Sequence, residues 1–534
     1  LQRALDRLSS EQFDVLIVGG GATGCFTARD AAMRGLKVAL VEARDFASAT
    51  SAHNSKLAHG GLRYLKNFEF RLVRESLAER RSLMRMAPHL VRPLPFLLPL
   101  YGADIAERLK LKAGLALYDL LSFDRNRGVS QKLPGHRWLG KKAALEREPV
   151  LAGETFEGAF EYHDAQMYSP ERIALENLID ADAHGAAIAN YVSADRLLMR
   201  GGRIEGVSAH EVMTGAVFDI RARTVLVAAG PWADLFLEQA SGQKAAHHLI
   251  RSKGIHVMVP QISTAALTIE AGNGHLFALP WRGHTLLATT DTPFSGDPGS
   301  VNVTAQDISD FLETFNRYLP KTFLEWHDVE FFYAGLRPLV SDGSKDSYNV
   351  SRRSELVDHA SENLDGVFSA LGGKWTTSRH LAEKITDALV AKLAVTAPPC
   401  ATASIPLPGG RFDDFDQLTR GFQKTYPGIG SMRPMAHMLG ARLPLALKGA
   451  RMTDLVKLNQ SGDTMAQVLL ALREEMAMTL EDMVMRRTGI GQFGPPDASV
   501  VERIANLMAA QLGWNDEKTA REIASLEHLY RTAA

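Results

Sequence analysis

Residues 13–42 commit the chain to one local shape. FDVLIV (13–18) is a continuous apolar run without alternation, the pattern of a strand buried on both faces. GGGATG (19–24) follows, then a helical pattern from Ala22 to Arg34 that stops at Gly35, then a second buried run, KVALVE (37–42). Strand, turn, helix and strand make a βαβ unit whose glycines carry the GxGxxG spacing. In such a unit Gly19 permits the tight turn, Gly21 lets the backbone approach a pyrophosphate, and Gly24 lets helix and strand close on each other. Ala22 and Thr23 open the helix, where unpaired N–H groups and the positive dipole end face the phosphates. Glu42 ends the second strand, 18 residues after Gly24, where a carboxylate can accept hydrogen bonds from both ribose hydroxyls. This predicts a dinucleotide-binding α/β fold.

The motif alone does not separate NAD from FAD. The next segment, ATSAHNSKLAHGGLRYL (49–65), brings Thr50, Ser51, Ser55, Lys56, Leu57, His59, Gly60 and Gly61. Small hydroxyl and amide side chains with a Gly-Gly pair suit an extended cofactor lying along the backbone. Leu57, Leu62 and Leu65 argue that the segment is packed. VLVAAGPWAD (225–234) carries Ala229, Gly230 and Trp232, and FSALGGKWTTSR (368–379) carries Gly373, Lys374, Trp375 and Thr376. Each runs a strand into a glycine turn, and the three turns converge on one ligand if their strands share a sheet.

At 534 residues the chain exceeds one hydrophobic core. The expected organisation is an FAD-dependent region at 1–395, a Pro/Ala/Gly-rich linker at 396–410 and an all-helical region at 411–534. Within the first, the flavin domain takes roughly 11–90, 165–235 and 345–395, and a mixed α+β substrate domain takes 91–164 and 236–344. A net charge of −1 argues against nucleic acid as a partner. Cys25 and Cys400 form neither a disulfide framework nor a metal-ligand spacing, so no metal is expected. No secretory pattern opens the sequence and no 18-residue apolar run spans a membrane.

The segments quoted above, with FRLVRESLAERRSLMRMAPHL (70–90), KGIHVMVP (253–260), LLATTDTPFSGDP (286–298) and AGLRPLV (334–340), resemble the FAD-dependent glycerol-3-phosphate dehydrogenases of the bacterial, respiratory type. The likeness covers most of the first 390 residues, with MRRTGIG (485–491) resembling the family's helical tail more loosely. It implies a D-amino-acid-oxidase-like flavin fold and oxidation of sn-glycerol 3-phosphate to dihydroxyacetone phosphate, by hydride transfer from C2 to flavin N5. It further implies that electrons pass to a membrane quinone from the cytoplasmic side. Asn54 stands where a small hydroxyl residue is usual, and residues 169–171 depart from the pattern.

Such a reaction needs fixed cations for the phosphate and a proton acceptor for the hydroxyl. From the resemblance, Arg63 and Tyr64 reach the substrate, with Arg337, Arg352 and Lys374 completing the phosphate pocket. His256, inside IHVMVP, is the expected proton acceptor, and Arg337 can instead stabilise the developing alkoxide. His59 is expected to shape the flavin loop, and helix 70–86 to present a solvated, ion-paired face. LPFLLPLY (94–101) followed by the basic amphipathic run 107–121 can lie in a membrane interface, form core, or make a homodimer contact. Other polyol phosphates, an oxygen-using oxidase, an amine or amino-acid oxidase and an RNA-modifying flavoprotein stay open as alternatives.

Overall fold

The computed structural model describes residues 1–244, 247–271, 274–319, 321–340, 354–430 and 432–532. Arg352 lies outside the described residues. Two sheets carry the site. In the first, Gln12–Val18 pairs in parallel with Val38–Glu42 on one side and Val217–Val227 on the other. Ala187–Asn190 and Val367–Gly372 extend these pairs, again in parallel. Val15, Leu16 and Ile17 are fully buried, as a strand covered on both faces demands. The helix Ala22–Met33 comes after the first strand, and Gly35 adopts φ +84° to end it. Three adjacent parallel strands point their C-terminal ends at the same sheet edge, so the turns after Val18, Val227 and Gly372 do converge.

The second sheet holds Leu249–Pro260, which pairs antiparallel with His284–Ala288 and Phe331–Val340. It also contains Val91–Tyr101, paired along almost its whole length with Phe156–Met167. The proline-rich start of this stretch gives no clear sequence signal, yet it is a strand. Pro93, Pro95 and Pro99 recur at a period of two, so their missing N–H groups all fall on one edge. Leu94, Phe96, Leu97 and Leu100 are buried there. The apolar run 94–101 is therefore sheet core and not a membrane segment.

Helix Phe70–Met86 also departs from expectation. Glu79 and Arg80 are buried on it. Arg379 donates to both Glu79 carboxylate oxygens, at 2.7 and 2.8 Å, and Arg80 donates to Asp164. Spacing shows which charges share a face, but the partners come from distant segments.

Beyond residue 410 the chain is helical, with Phe415–Thr425, Met465–Glu474, Ala498–Leu512 and Asp516–His528 as the longer pieces. A buried charge cluster joins it to the first sheet. Arg487 donates to both oxygens of Asp45 at 2.7 Å, and Arg172 donates to both oxygens of Glu475 at 2.5 and 2.6 Å. Burial raises the pKa of both carboxylates, but the facing guanidiniums outweigh it and hold each at about 2. A carboxylate whose folded pKa is depressed stabilises the fold fully above its unfolded pKa and loses that contribution as pH falls through the folded value. They are worth on the order of 2 kcal/mol for Asp45 and about 3 kcal/mol for Glu475 in this sense. Thermal unfolding between pH 5 and pH 2 should show the transition falling steeply below roughly pH 4. In Asp45→Asn that fall should be shallower, and an unchanged slope would remove Asp45 from the account.

Candidate active site

One cavity of about 1140 Å³ opens at the converging turns. Drug-sized ligands occupy roughly 300–1,000 Å³, so this volume accommodates a dinucleotide with a second molecule beside it. Gly21, Ala22 and Thr23 line one end, and Ser51, Asn54, Gly373 and Trp375 continue the wall. The glycine turn admits no side chains. A Cβ on Gly24 would lie 2.0 Å from the Gly19 carbonyl oxygen, and one on Gly19 would lie 2.6 Å from that of Ala228. A Cβ on Gly21 would meet only Ser51 Oγ, at 3.2 Å, so its open side faces the cavity. Bare backbone at the N-terminus of a 12-residue helix fits a pyrophosphate. Glu42 accepts from the Gly20 and Arg44 N–H groups at 2.7 and 2.9 Å, which fixes its carboxylate beside the turn. These residues fit FAD.

Thr50, Ser55, Leu57, His59, Gly61, Gly230 and Thr376 also line the cavity, as expected for the flavin segments. Gly19, Gly24, Glu42, Gly60, Ala229 and Trp232 do not. Gly60 serves packing: a Cβ there would lie 2.3 Å from Tyr118 Oη. Trp232 carries the Arg44 guanidinium over its ring at 5.3 Å. Lys56 is off the wall altogether. It adopts φ +56°, and its ammonium is buried on Glu171 Oε1 at 2.7 Å and the Ala52 carbonyl at 2.6 Å. Its side chain points into the core, onto Glu171, and not onto the cavity wall. Asn54 caps the same loop, donating to Ser51 O at 2.7 Å and accepting from Lys56 N at 2.9 Å.

Two of the cations expected for the substrate, Arg63 and Lys374, meet around one ring. The Arg63 guanidinium carbon lies 5.1 Å and Lys374 Nζ 4.6 Å from the centre of Tyr64. Lys374 donates to Ser76 Oγ at 2.5 Å, and burial above all pushes its pKa below the ordinary lysine value. Arg337 lines the cavity too. It donates to Thr289 Oγ1 at 3.0 Å, the Thr290 carbonyl at 2.9 Å and Ser252 Oγ at 3.2 Å.

His256 is buried behind the wall. Its Nε2 meets Ser55 Oγ at 3.1 Å, and Ser55 faces the cavity. The imidazole stacks on Tyr333, with centroids 4.8 Å apart. Burial first, then Arg337, Lys56 and His53, holds its pKa well below the usual histidine value, so it is neutral at neutral pH. His59 is on the wall itself, and burial pushes it down to about 4.

Two contributors are not among the residues that the sequence singles out. Gly254 makes room for Arg337: a Cβ there would lie 2.4 Å from Nη2. A glycine inside an apolar strand is the signal of such a close approach, and KGIHVMVP contains it. Asp164 lines the cavity and accepts from Tyr118 Oη at 2.8 Å, Gly60 N at 3.3 Å and Arg80. Its strand, FEGAFEYHDAQM, carries Glu157, Glu161, His163 and Gln166 as well, so nothing in the sequence singles it out.

Comparison with known proteins agrees with this geometry. The model of the FAD dependent oxidoreductases matches residues 14–388, and that of the C-terminal domain of alpha-glycerophosphate oxidase matches 400–519. A glycerol-3-phosphate dehydrogenase of Synechocystis sp. is 33% identical across 98% of this chain and 97% of its own length. One from Mycobacterium leprae is 36% identical across 98% and 88%. The X-ray structure of the Bacillus halodurans glycerol-3-phosphate dehydrogenase complexed with FAD aligns with a TM-score of 0.78 at 29% identity, over 99% of this chain and 96% of that one. A bare glycine turn, a cavity sized for a dinucleotide and full-length likeness together place the chain in the FAD-dependent oxidoreductase family, among its glycerol-3-phosphate dehydrogenases.

Proposed function

We propose that the chain oxidises sn-glycerol 3-phosphate to dihydroxyacetone phosphate and passes the electrons to a membrane quinone. The observation that carries the substrate is the pair of cations on Tyr64 inside the flavin cavity. Arg63 and Lys374 sharing one ring repel each other, and a phosphate dianion between them relieves the repulsion while accepting several hydrogen bonds. Bound FAD supplies the two-electron acceptor for the C2 hydride. The residues of this chain do the rest. Arg337, held rigidly by two threonines and a serine, stabilises negative charge developing on the C2 oxygen. Ser55 takes the hydroxyl proton and hands its own to His256 Nε2, which receives it in the neutral tautomer that carries its proton on Nδ1.

Support for the quinone comes from the far limb of the cavity. Leu98, Leu111, Leu115, Ile269 and Phe277 line it, and Leu111 and Leu115 belong to the helix Ile105–Leu121. The outer side of that helix leaves Ile105 80% and Leu120 68% exposed, with Phe123 just past its end at 75% and Phe68, a few residues after the short helix Leu62–Leu65 that packs against it, at 77%. Exposed apolar side chains mixed with Lys110 and Lys112 suit the headgroup region of a bilayer. None of the described helices is long and apolar enough to cross it. Double replacement by Leu120→Glu and Phe123→Glu should weaken co-sedimentation with anionic vesicles while leaving turnover with a soluble dye unchanged. Equal binding by the variant would detach this face from the membrane.

The substrate is tested by mixing the FAD-loaded protein anaerobically with sn-glycerol 3-phosphate, erythritol 4-phosphate or glycerol, and following absorbance near 450 nm. Fast bleaching is expected from the first alone. Bleaching only by another phosphate would change the substrate, and bleaching by none would remove the phosphate site. Gly254→Ala should slow the same reaction by roughly 10²-fold through displacement of Arg337. His256→Gln should slow it by roughly 10²- to 10⁴-fold. Because the folded pKa of His256 is depressed, kcat at saturating substrate, which is free of the substrate phosphate's own ionisation at about 6, should stay flat as pH drops through 6.5 and decline only at lower pH. A limb centred at 6.5 or above would exclude His256 as the proton acceptor.

A further inference from the structure

MRRTGIG (485–491) takes no part in the chemistry above, yet its two arginines are buried against the flavin side of the molecule. They sit at the end of a π-helical turn, Asp482–Arg487. Their common target is Asp45, three residues past Glu42 and fully enclosed. Arg487 binds it in a two-pronged pair at 2.7 Å, and Arg486 Nε adds a third hydrogen bond at 2.6 Å. Asn190 Nδ2 donates to Asp45 Oδ1 at 3.1 Å and to the Met476 carbonyl at 2.9 Å, so strand and helical region grip the same carboxylate.

The residues just after Asp45 touch the glycine turn directly. Ala47 N donates to the Gly20 carbonyl at 3.0 Å. The Phe46 ring packs so tightly on Gly20 that a Cβ there would lie 2.7 Å from it. Four residues later, Ser51 Oγ accepts from Ala22 N at 2.9 Å, at the helix N-terminus. The loop from Phe46 to Ser51 is thus the outer support of the backbone that faces the pyrophosphate. Ala47 is held at φ +58°, a left-handed conformation unfavourable for a residue with a Cβ, and Asp45 is the anchor close before it. The other carboxylate of the cluster, Glu475, is different. It joins Arg172 and Arg442, and none of the three lines the cavity.

We propose that Arg486 and Arg487 are positioning residues for FAD: by clamping Asp45 they hold Phe46 and Ala47 against Gly20 and so fix the turn that receives the pyrophosphate. The helical region is in this sense a part of the flavin site. The proposal rests on FAD binding and is indifferent to the substrate, so its readout is cofactor affinity and not turnover.

The test compares Arg487→Met with Arg442→Met, which breaks the Glu475 end of the same buried cluster. Both lose a buried charge partner and both should unfold at lower temperature. Apo-protein of each is titrated with FAD below both transitions, with quenching of flavin fluorescence as the signal and far-ultraviolet circular dichroism to establish the fold. Arg487→Met should bind FAD about tenfold more weakly than Arg442→Met, with a blurred shoulder on the 450 nm band. A ratio of dissociation constants above five supports the clamp. A ratio below five means that the arginines merely glue the two regions together, and overturns it. If Arg487→Met does not fold, Arg487→Lys, which keeps the charge and loses the two-pronged geometry, is read against the same ratio.

Discussion

Parallel pairing of Gln12–Val18 with its two neighbours is the constraint on which the site depends. It places the ends of Val18 and Val227, and through the next strand Gly372, at one sheet edge. Three of the turns that line the cofactor cavity spring from these ends, and there the backbone must come close without a side chain between. The cost of the fold is concentrated in those approaches. Gly24 against the Gly19 carbonyl and Gly19 against Ala228 tolerate no methyl group. A sheet of the same strands in another order would keep the core and lose the ligand.

The second sheet supplies what the first lacks, a wall that can hold charge. Arg337 reaches the cavity from the strand Phe331–Val340 because Gly254, on the facing strand, leaves a gap at the register Gly254↔Gly335. Gly335 in turn makes room for the His53 carbonyl, where a Cβ would lie 2.2 Å away. Paired glycines in mid-strand weaken a sheet locally. Here one admits a guanidinium and the other admits the loop that bears Ser55, so the same pair joins cation, relay and flavin loop.

Local pattern makes the βαβ unit, the helix Phe70–Met86 and the three glycine turns legible, because periodicity and glycine spacing are properties of short segments. The strand Val91–Tyr101 is not legible, since three prolines hide the alternation that would mark it. Nor is the fate of individual charges. Lys56 lies among cofactor-facing hydroxyl residues in sequence, yet its side chain points into the core, onto Glu171, 115 positions away. His256 stands out in its strand, but its place one shell behind Ser55 depends on the depth of that strand in a sheet. Resemblance carries Arg63, Lys374 and Arg337 to the cavity, and neither propensity nor spacing could do so.

Charge is distributed unevenly around the cavity, and that unevenness defines the chemistry. Arg63, Lys374 and Arg337 line it, while Lys56 lies behind it. The buried His256 is surrounded by this positive field and stays unprotonated. Under the proposed reaction these cations would stabilise first a phosphate and then an alkoxide, beside Asp164, Glu270 and Asp291 on the same wall, and they lower the basicity of the proposed proton acceptor in the same act. The two effects are compatible only when the acceptor works through a hydroxyl relay, where the proton moves in concert with the departing hydride and need not rest on a strong base. A buried carboxylate in place of His256 would be a stronger acceptor. It would also put a second carboxylate beside Arg337, whose Nη1 already lies 3.7 Å from Asp291 Oδ2, and further offset the charge proposed to act on the alkoxide.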